Sequence, residues 1–209
     1  VCSSDLTFAV IGLQRLKMIK KLKDISEIST GVTFRMRLEH ATDGNVSIIQ
    51  MKDLGDNHIV NLNELIKSKI ESPKQRQYVK KFDIIFRARG QNLTAAILNH
   101  DISDSIVSAP LIRIRANTSI VLPEFLWWSI NQRSSQAYLA SQSEGTMLKL
   151  VSKKSLEDLE INLPSLVQQK HIIKFIKLAR QEQNLLNQVQ KKRALVTEAT
   201  ITKLIKEAV

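Results

Sequence analysis

Apolar positions along this chain follow two regimes. Up to Leu163 they come in runs of two to five, punctuated by Gly, Asn and Asp. Beyond Val167 they recur at spacings of three, four and seven, with no Gly or Pro to interrupt them. The first regime predicts short β-branched strands at 46–50, 59–60, 83–89, 95–98, 106–107, 111–114 and 147–151, and a last one at Glu160–Leu163. On 111–114 and just beyond it, Leu111, Arg113 and Arg115 share one face, with Ile112 and Ile114 on the other. Turns are expected at Asp43-Gly44-Asn45, at 52–57, at Gly90 and at Gly145. Helical spacing marks 22–28, ended by Gly31 as a C-cap or turn glycine, and 62–70, capped by Asn61 or Asn63. It also marks 124–130 behind Pro123 at a first helical position, 134–139, and a turn begun by Ser152 with Ser155 and Leu156. Residues 33–40 and the basic stretch 74–81 read as loop and linker. Many short strands with a few helices make an α+β domain.

The second regime predicts a long helix. Pro164 stops the strand, and Ser165 with Gln168 forms a capping box of the S-x-x-Q kind. Helix over 167–209 would reach roughly 65 Å at about 1.5 Å per residue. Ile172, Ile176, Ala179, Leu186, Val189, Val196 and Ala199 form a stripe, widened by Ile173, Leu185 and Leu204. Gln183 and Arg193 interrupt it, as residues that fix register do in paired helices. A stripe this long calls for a partner helix from a second copy or another protein. The alternative is a helix folded back on its own domain.

Charge adds a direction. The 209 residues carry a net charge of +11, and 43% are hydrophobic, enough to fold. Residues 1–160 hold 22 Lys/Arg against 17 Asp/Glu, whereas 161–209 hold nine against three. Such a balance suits nucleic acid, an anionic membrane or an acidic partner. No apolar run is long enough to span a membrane, and 8–13 is too short for a signal-peptide core. A single cysteine suits the cytoplasm. The opening V-C-S-S-D-L matches the translation of a common sequencing-adapter end, and Met18 begins a natural-looking start. Residues 1–17 are therefore expected to be a non-native or disordered extension, which leaves Cys2 without a role.

Four blocks carry a family resemblance. They are K-L-K-D-I-S-E-I-S-T-G-V-T-F-R from Lys21, G-N-V-S-I-I-Q-M-K-D-L from Gly44, and F-D-I-I-F-R-A-R-G from Phe82. The fourth runs from P-E-F-L-W-W-S-I-N at Pro123 through S-E-G-T-M-L-K-L-V-S-K-K-S-L-E-D-L-E-I-N-L-P-S-L-V-Q-Q-K-H-I-I, ending at Ile173. In order and pattern these resemble the specificity subunits of Type I restriction–modification systems. The resemblance implies a target recognition domain at 18–163 and a helical dimerisation and spacer arm at 164–209. It implies recognition of one half of a bipartite site in double-stranded DNA. The partners implied are an adenine methyltransferase subunit docked on the arm and, where one exists, a restriction subunit. The family pattern has two such units in tandem and this sequence has one. It therefore resembles a half subunit, whose two copies would pair their arms antiparallel as a homodimer, or a fragment of a two-domain subunit.

The residues offer no catalytic signature. Prolines stand alone, so the D/N-P-P-aromatic motif of amino-methyltransferases is missing; the glycines are too scattered for a phosphate loop. His40, His58, His100 and His171 lack metal-ligand spacing, so neither metal nor cofactor is expected. Asp83 near Arg87 and Arg89 has no acidic cluster with a lysine to make a nuclease. Candidate DNA contacts are Arg35, Arg37, Lys52, Arg87, Arg89, Gln91, Lys149, Lys153 and Lys154, since Arg, Lys and Gln read base edges and phosphates. Arg87 and Arg89 stand out, on one strand face just before a glycine. Each competes with a plain solvated charge, and Trp127–Trp128 with core packing. Lys191, Lys192 and Arg193 either touch DNA between half-sites, face an acidic partner or keep the helix soluble. Two other classes stay open: an interaction module with a degenerate recognition domain, which would dimerise yet select no DNA, and a Mg²⁺-dependent nuclease.

Overall fold

The computed structural model describes residues 18–34, 38, 40–55, 58–71, 73–143 and 149–207. Arg35, Arg37, Gly145 and the first two residues of the strand expected at 147–151 lie outside these residues, and its described part, 149–151, holds an isolated bridge from Leu150 to Arg89 in place of a strand. In chain order the elements are β1 (Met18–Lys21), α1 (Leu22–Ile25), β2 (Ser26–Thr30), β3 (Val46–Ile49) and β4 (Ile66–Ser68). Next come β5 (Ile84–Arg87), β6 (Ala95–Ile97), β7 (Ser105–Val107) and β8 (Leu111–Ala116). The remainder is α2 (Pro123–Ile130), α3 (Arg133–Ser141), α4 (Lys153–Glu157), β9 (Glu160–Leu163) and α5 (Leu166–Glu207). The α+β class expected from the pattern is the architecture found.

A four-stranded antiparallel sheet, β2-β8-β5-β6, forms the centre. Side chains alternate across a strand, so β5 sends Ile84 and Phe86 to one face and Ile85 to the other. The first face packs with Ile97, Ile112 and Ile114 under α2, α4 and the root of α5, through Phe125, Leu126, Ile130, Leu156 and Ile173. The second face joins Ala96, Leu98 and Leu111 to Ile49, Leu54, Val79 and Val107. Beyond it lies the sheet β4-β3-β7, whose β3 and β7 run parallel. A third pair, β1 with β9, brings both ends of the head together.

Several local expectations change. The helix over 22–28 stops at Ile25, because Ser26 turns extended, gives its hydroxyl to the Leu22 carbonyl at 2.7 Å, and enters β2. Gly31 caps no helix. A Cβ there would stand 2.5 Å from the Ser108 carbonyl carbon, so it is a site of close backbone approach. The helix expected at 62–70 is a turn followed by β4. Asn61 accepts the Asn63 N–H, and Asn45 holds both backbone groups of Ile70, at 2.9 and 3.1 Å, so strand pairing overrides local spacing. The expected linker at 74–81 is built into the core. Val79 is buried with its N–H on Ser105, and Tyr78 bridges to Ile106.

The capping box at Ser165 and Gln168 is present: the Ser165 N–H donates to Gln168 Oε1 at 3.1 Å, and the Gln168 N–H to Ser165 Oγ at 3.4 Å. Behind it α5 runs unbroken for 42 residues. Its root is pinned by Gln169, wholly buried, which accepts the Leu122 N–H at 2.8 Å and donates to the Ile120 and Pro164 carbonyls. Farther along, Arg180 lies 4.3 Å from the Trp127 ring centroid. From Gln181 to Glu207 every residue is exposed, so the helix does not fold back over the head.

The expected stripe divides in two. Ile172 and Ile176 are half-buried near the head, Ile172 against its core, whereas Leu186, Val189 and Val196 are exposed with Ala179 and Ala199. A bare seam runs through Phe175, Leu178, Leu185, Val189 and Val196 at spacings of three, seven, four and seven. Head-packing and bare faces differ because the head covers only the root of the helix, and a stripe of seven-residue spacing drifts about 20° per heptad around a straight helix.

Candidate nucleic-acid interface

Five of the expected contact residues come together at the end of β5. Period-two alternation turns Arg87 away from the Phe86 face, and its side chain lies half-buried beneath the 3-10 turn Met51–Asp53. Arg87 Nη2 donates to the Met51 and Leu54 carbonyls, both at 3.2 Å. Its Nε is buried with no hydrogen-bond partner among the described residues. The turn is held by its own capping bonds: the Gln50 N–H donates to Asp53 Oδ2 at 2.8 Å, and the Asp53 N–H to the Gln50 carbonyl at 3.0 Å. Burial raises the Asp53 carboxyl above its ordinary range, against the opposing pull of that N–H and of Lys52. Lys52 itself is exposed on the turn.

Arg89, Gly90 and Gln91 follow directly. Gly90 has φ of +130°, a conformation that L side chains resist, and this ends the strand. Its N–H donates to the Lys149 carbonyl at 3.0 Å, the Val151 N–H donates to the Ala88 carbonyl at 2.9 Å, and Arg89 bridges Leu150. An ideal Cβ on Gly90 would lie 3.9 Å from both Arg87 Cδ and Met51 Cε. Segments 51–54, 87–91 and 149–151 thus meet at the end of β5, the first held by the Arg87 side chain and the last by backbone bonds. Arg89 and Gln91 are exposed and Lys149 is half-buried.

Lys153 and Lys154 stand apart on α4, both exposed. Lys153 pairs with Glu157 at 3.2 Å and lines a cleft of about 470 Å³ with Glu27, Arg76, Gln77 and Arg113. Arg76 and Gln77 were hidden within the apparent linker; only the buried Val79 beside them hinted at sheet. Arg113 and Arg115 are structural. Arg113, almost wholly buried, donates to Glu27 at 2.7 Å, to Ser29 and to the Arg76 carbonyl. Arg115 forks onto buried Asp83 at 2.8 and 2.7 Å, and that bond raises its already high pKa. Asp83 is thus committed to two guanidiniums. Trp127 is buried with its indole N–H on the Ala95 carbonyl, and Trp128 stacks at a tilt 5.9 Å from Phe125, so both pack. Among the described residues no group of three His, Cys, Asp or Glu could hold a metal ion, and no helix is long and apolar enough to cross a membrane.

This arrangement presents cations and an amide on a sheet end, and a bare helical seam elsewhere. It can offer charge and hydrogen bonds to an anionic polymer.

Comparison with known proteins agrees with the resemblance read from the four blocks. A curated relative, the Type I restriction enzyme EcoBI specificity subunit of Escherichia coli, is 28% identical over 131 residues, covering 62% of this chain and 27% of the relative. The chain therefore spans just over a quarter of that relative's length. The HsdS subunit from Thermoanaerobacter tengcongensis matches with a TM-score of 0.64 at 16% identity, over 83% of this chain and 39% of that one. A chain from work on complex assembly and conformational transition of the type I R-M system matches with a TM-score of 0.67 at 17% identity, over 90% and 43%. These likenesses establish the fold of the head and the presence of the long helix after it. The family model described as Type I restriction modification DNA specificity domain matches residues 15–195, nearly the whole chain, and the chain belongs to that family.

Proposed function

We propose that this chain is a DNA sequence-specificity component whose head, residues 18–163, reads one half of a bipartite duplex target. The arm, residues 164–209, pairs with the arm of a second copy. The assembled component directs an adenine methyltransferase, and a restriction subunit where one exists, to the target, and carries out no chemistry itself. The observation that carries this reading is the convergence of Lys52, Arg89, Gln91 and Lys149 at one end of the central sheet, in a chain of this family. Cations there supply phosphate affinity, while Arg and Gln supply the donors and acceptors that distinguish base edges. The bare seam from Phe175 to Val196 supports the pairing, because an apolar stripe of that length gains by burial against another helix.

Selection from a randomised duplex pool, with and without the cognate methyltransferase subunit, tests the reading. A recovered half-site sequence is expected, and a pool that stays random in both conditions refutes it. Light scattering at micromolar concentration tests the pairing: a dimer mass is expected, and a monomer with and without the methyltransferase refutes it.

A further inference from the structure

We propose that Arg87 is a positioning residue: it reads no base, and instead locks the Met51–Leu54 turn onto the end of β5, where the reading surface forms. This rests on the DNA-reading function proposed above and deepens it. From sequence Arg87 looks like a twin of Arg89, two residues along the same strand. The structure gives the two different work. Arg87 spends one nitrogen on two carbonyls at opposite ends of the Met51–Leu54 turn, while Arg89 is exposed.

The fork geometry matters. A guanidinium holds its N–H groups in a fixed plane, so one nitrogen can bind two carbonyls and set their separation; an ammonium on a flexible stem fixes no such angle. The turn so held carries Lys52. Beyond Arg87 on its own strand, the Gly90 N–H reaches the Lys149 carbonyl and the Ala88 carbonyl takes the Val151 N–H. Arg87 therefore sets Lys52 beside Arg89 and Gln91, about 40 residues along the chain, while the Gly90 backbone adds Lys149. Its Nε is buried without a partner among the described residues, so the side chain acts through the two carbonyl bonds of Nη2.

The test uses the full chain with Arg87→Lys and Arg87→Met. By amide hydrogen exchange, both variants are expected to open the Asp53, Leu54 and Asn61 amides about tenfold faster, with β3 and β8 unchanged. In duplex-pool selection with the methyltransferase subunit, both are expected to blur the base positions that Lys52→Ala and Arg89→Ala also blur. Two results overturn the proposal. One is unchanged protection of the 53–54 amides in both variants. The other is a charge pattern, in which Arg87→Lys selects as sharply as the parent while Arg87→Met lowers the salt slope of binding by about one, as a direct phosphate contact would. If the parent itself selects no sequence, the DNA-reading proposal fails, and the exchange result alone decides for or against the lock.

Discussion

Replacing Gln169 with Leu tests how the arm is joined to the head. The two side chains are similar in volume, so the change removes hydrogen bonds without opening a cavity. Three backbone groups lose their partner at a fully buried site: the Leu122 N–H at 2.8 Å, and the Ile120 and Pro164 carbonyls at 3.2 and 2.9 Å. A buried group left unsatisfied costs about 1–3 kcal/mol, with carbonyls toward the lower end because they have two lone pairs to fill. Three such losses come to about 3–5 kcal/mol. Burying a hydrocarbon in place of an amide returns about 1 kcal/mol, leaving a net cost of roughly 2–4 kcal/mol. Urea unfolding followed by tryptophan fluorescence is the assay, since Trp127 lies under Arg180 of α5 and reports on the joint. With a slope of about 1–3 kcal/mol per molar urea, the midpoint should fall by about 1–2 M. A fall of less than about 0.3 M would refute the reasoning, because the three groups would then have found other partners.

Asp83→Asn leaves Arg113 and Arg115 without the carboxylate between them, and should destabilise the head by about 3–5 kcal/mol in the same assay. Gly31→Ala pushes a methyl group into the Ser108 backbone and should cost about 1–3 kcal/mol, read as a lowered thermal midpoint. Leu185→Asp with Val189→Asp places charge on the bare seam; sedimentation should show loss of the dimer proposed above while the tryptophan spectrum of the head stays unchanged. Asp158 is held below the ordinary carboxylate range by hydrogen bonds from Lys21 and then Lys23. A depressed folded-state pKa stabilises above the unfolded value, near pH 4, and the contribution disappears as pH falls through the folded value. The parent should therefore lose its advantage over Asp158→Asn on acidification below pH about 4, and a stability gap unchanged between pH 6 and pH 2 would contradict this.

Elements whose signals are local were legible in the sequence. The capping box at Ser165 and the Ser152 cap of α4 each join side chains to partners three residues away, and Pro123 marks the head of α2 by its own fixed φ, so local sequence alone reveals them. The central strands were legible because alternation of Ile84, Ile85 and Phe86 with buried neighbours is a property of one strand. What long-range pairing decides stayed hidden. Residues 66–68 became a strand through β3, Tyr78 and Val79 through β7, and Ile28 through β8, and no window of ten residues contains those partners. At the interface the charges were legible but their division of labour was not. Arg87, Arg89, Arg113 and Arg115 look alike in sequence. They differ only in whether a carbonyl or carboxylate from a distant segment lies within reach.

The clasp between β1 and β9 bears on how the chain comes to be folded. Lys21 and Asp158, which bond across it, are separated by 137 residues. During synthesis the first strand must wait unpaired until almost the whole head has left the ribosome. Contacts that close so long a loop form slowly, whereas an isolated helix forms within about a microsecond. Met18 and Ile19, both about half exposed even in the finished clasp, stay uncovered through that wait. Aggregation of nascent chains should therefore begin at this edge, and a chaperone that shields β1 should raise the yield of native protein.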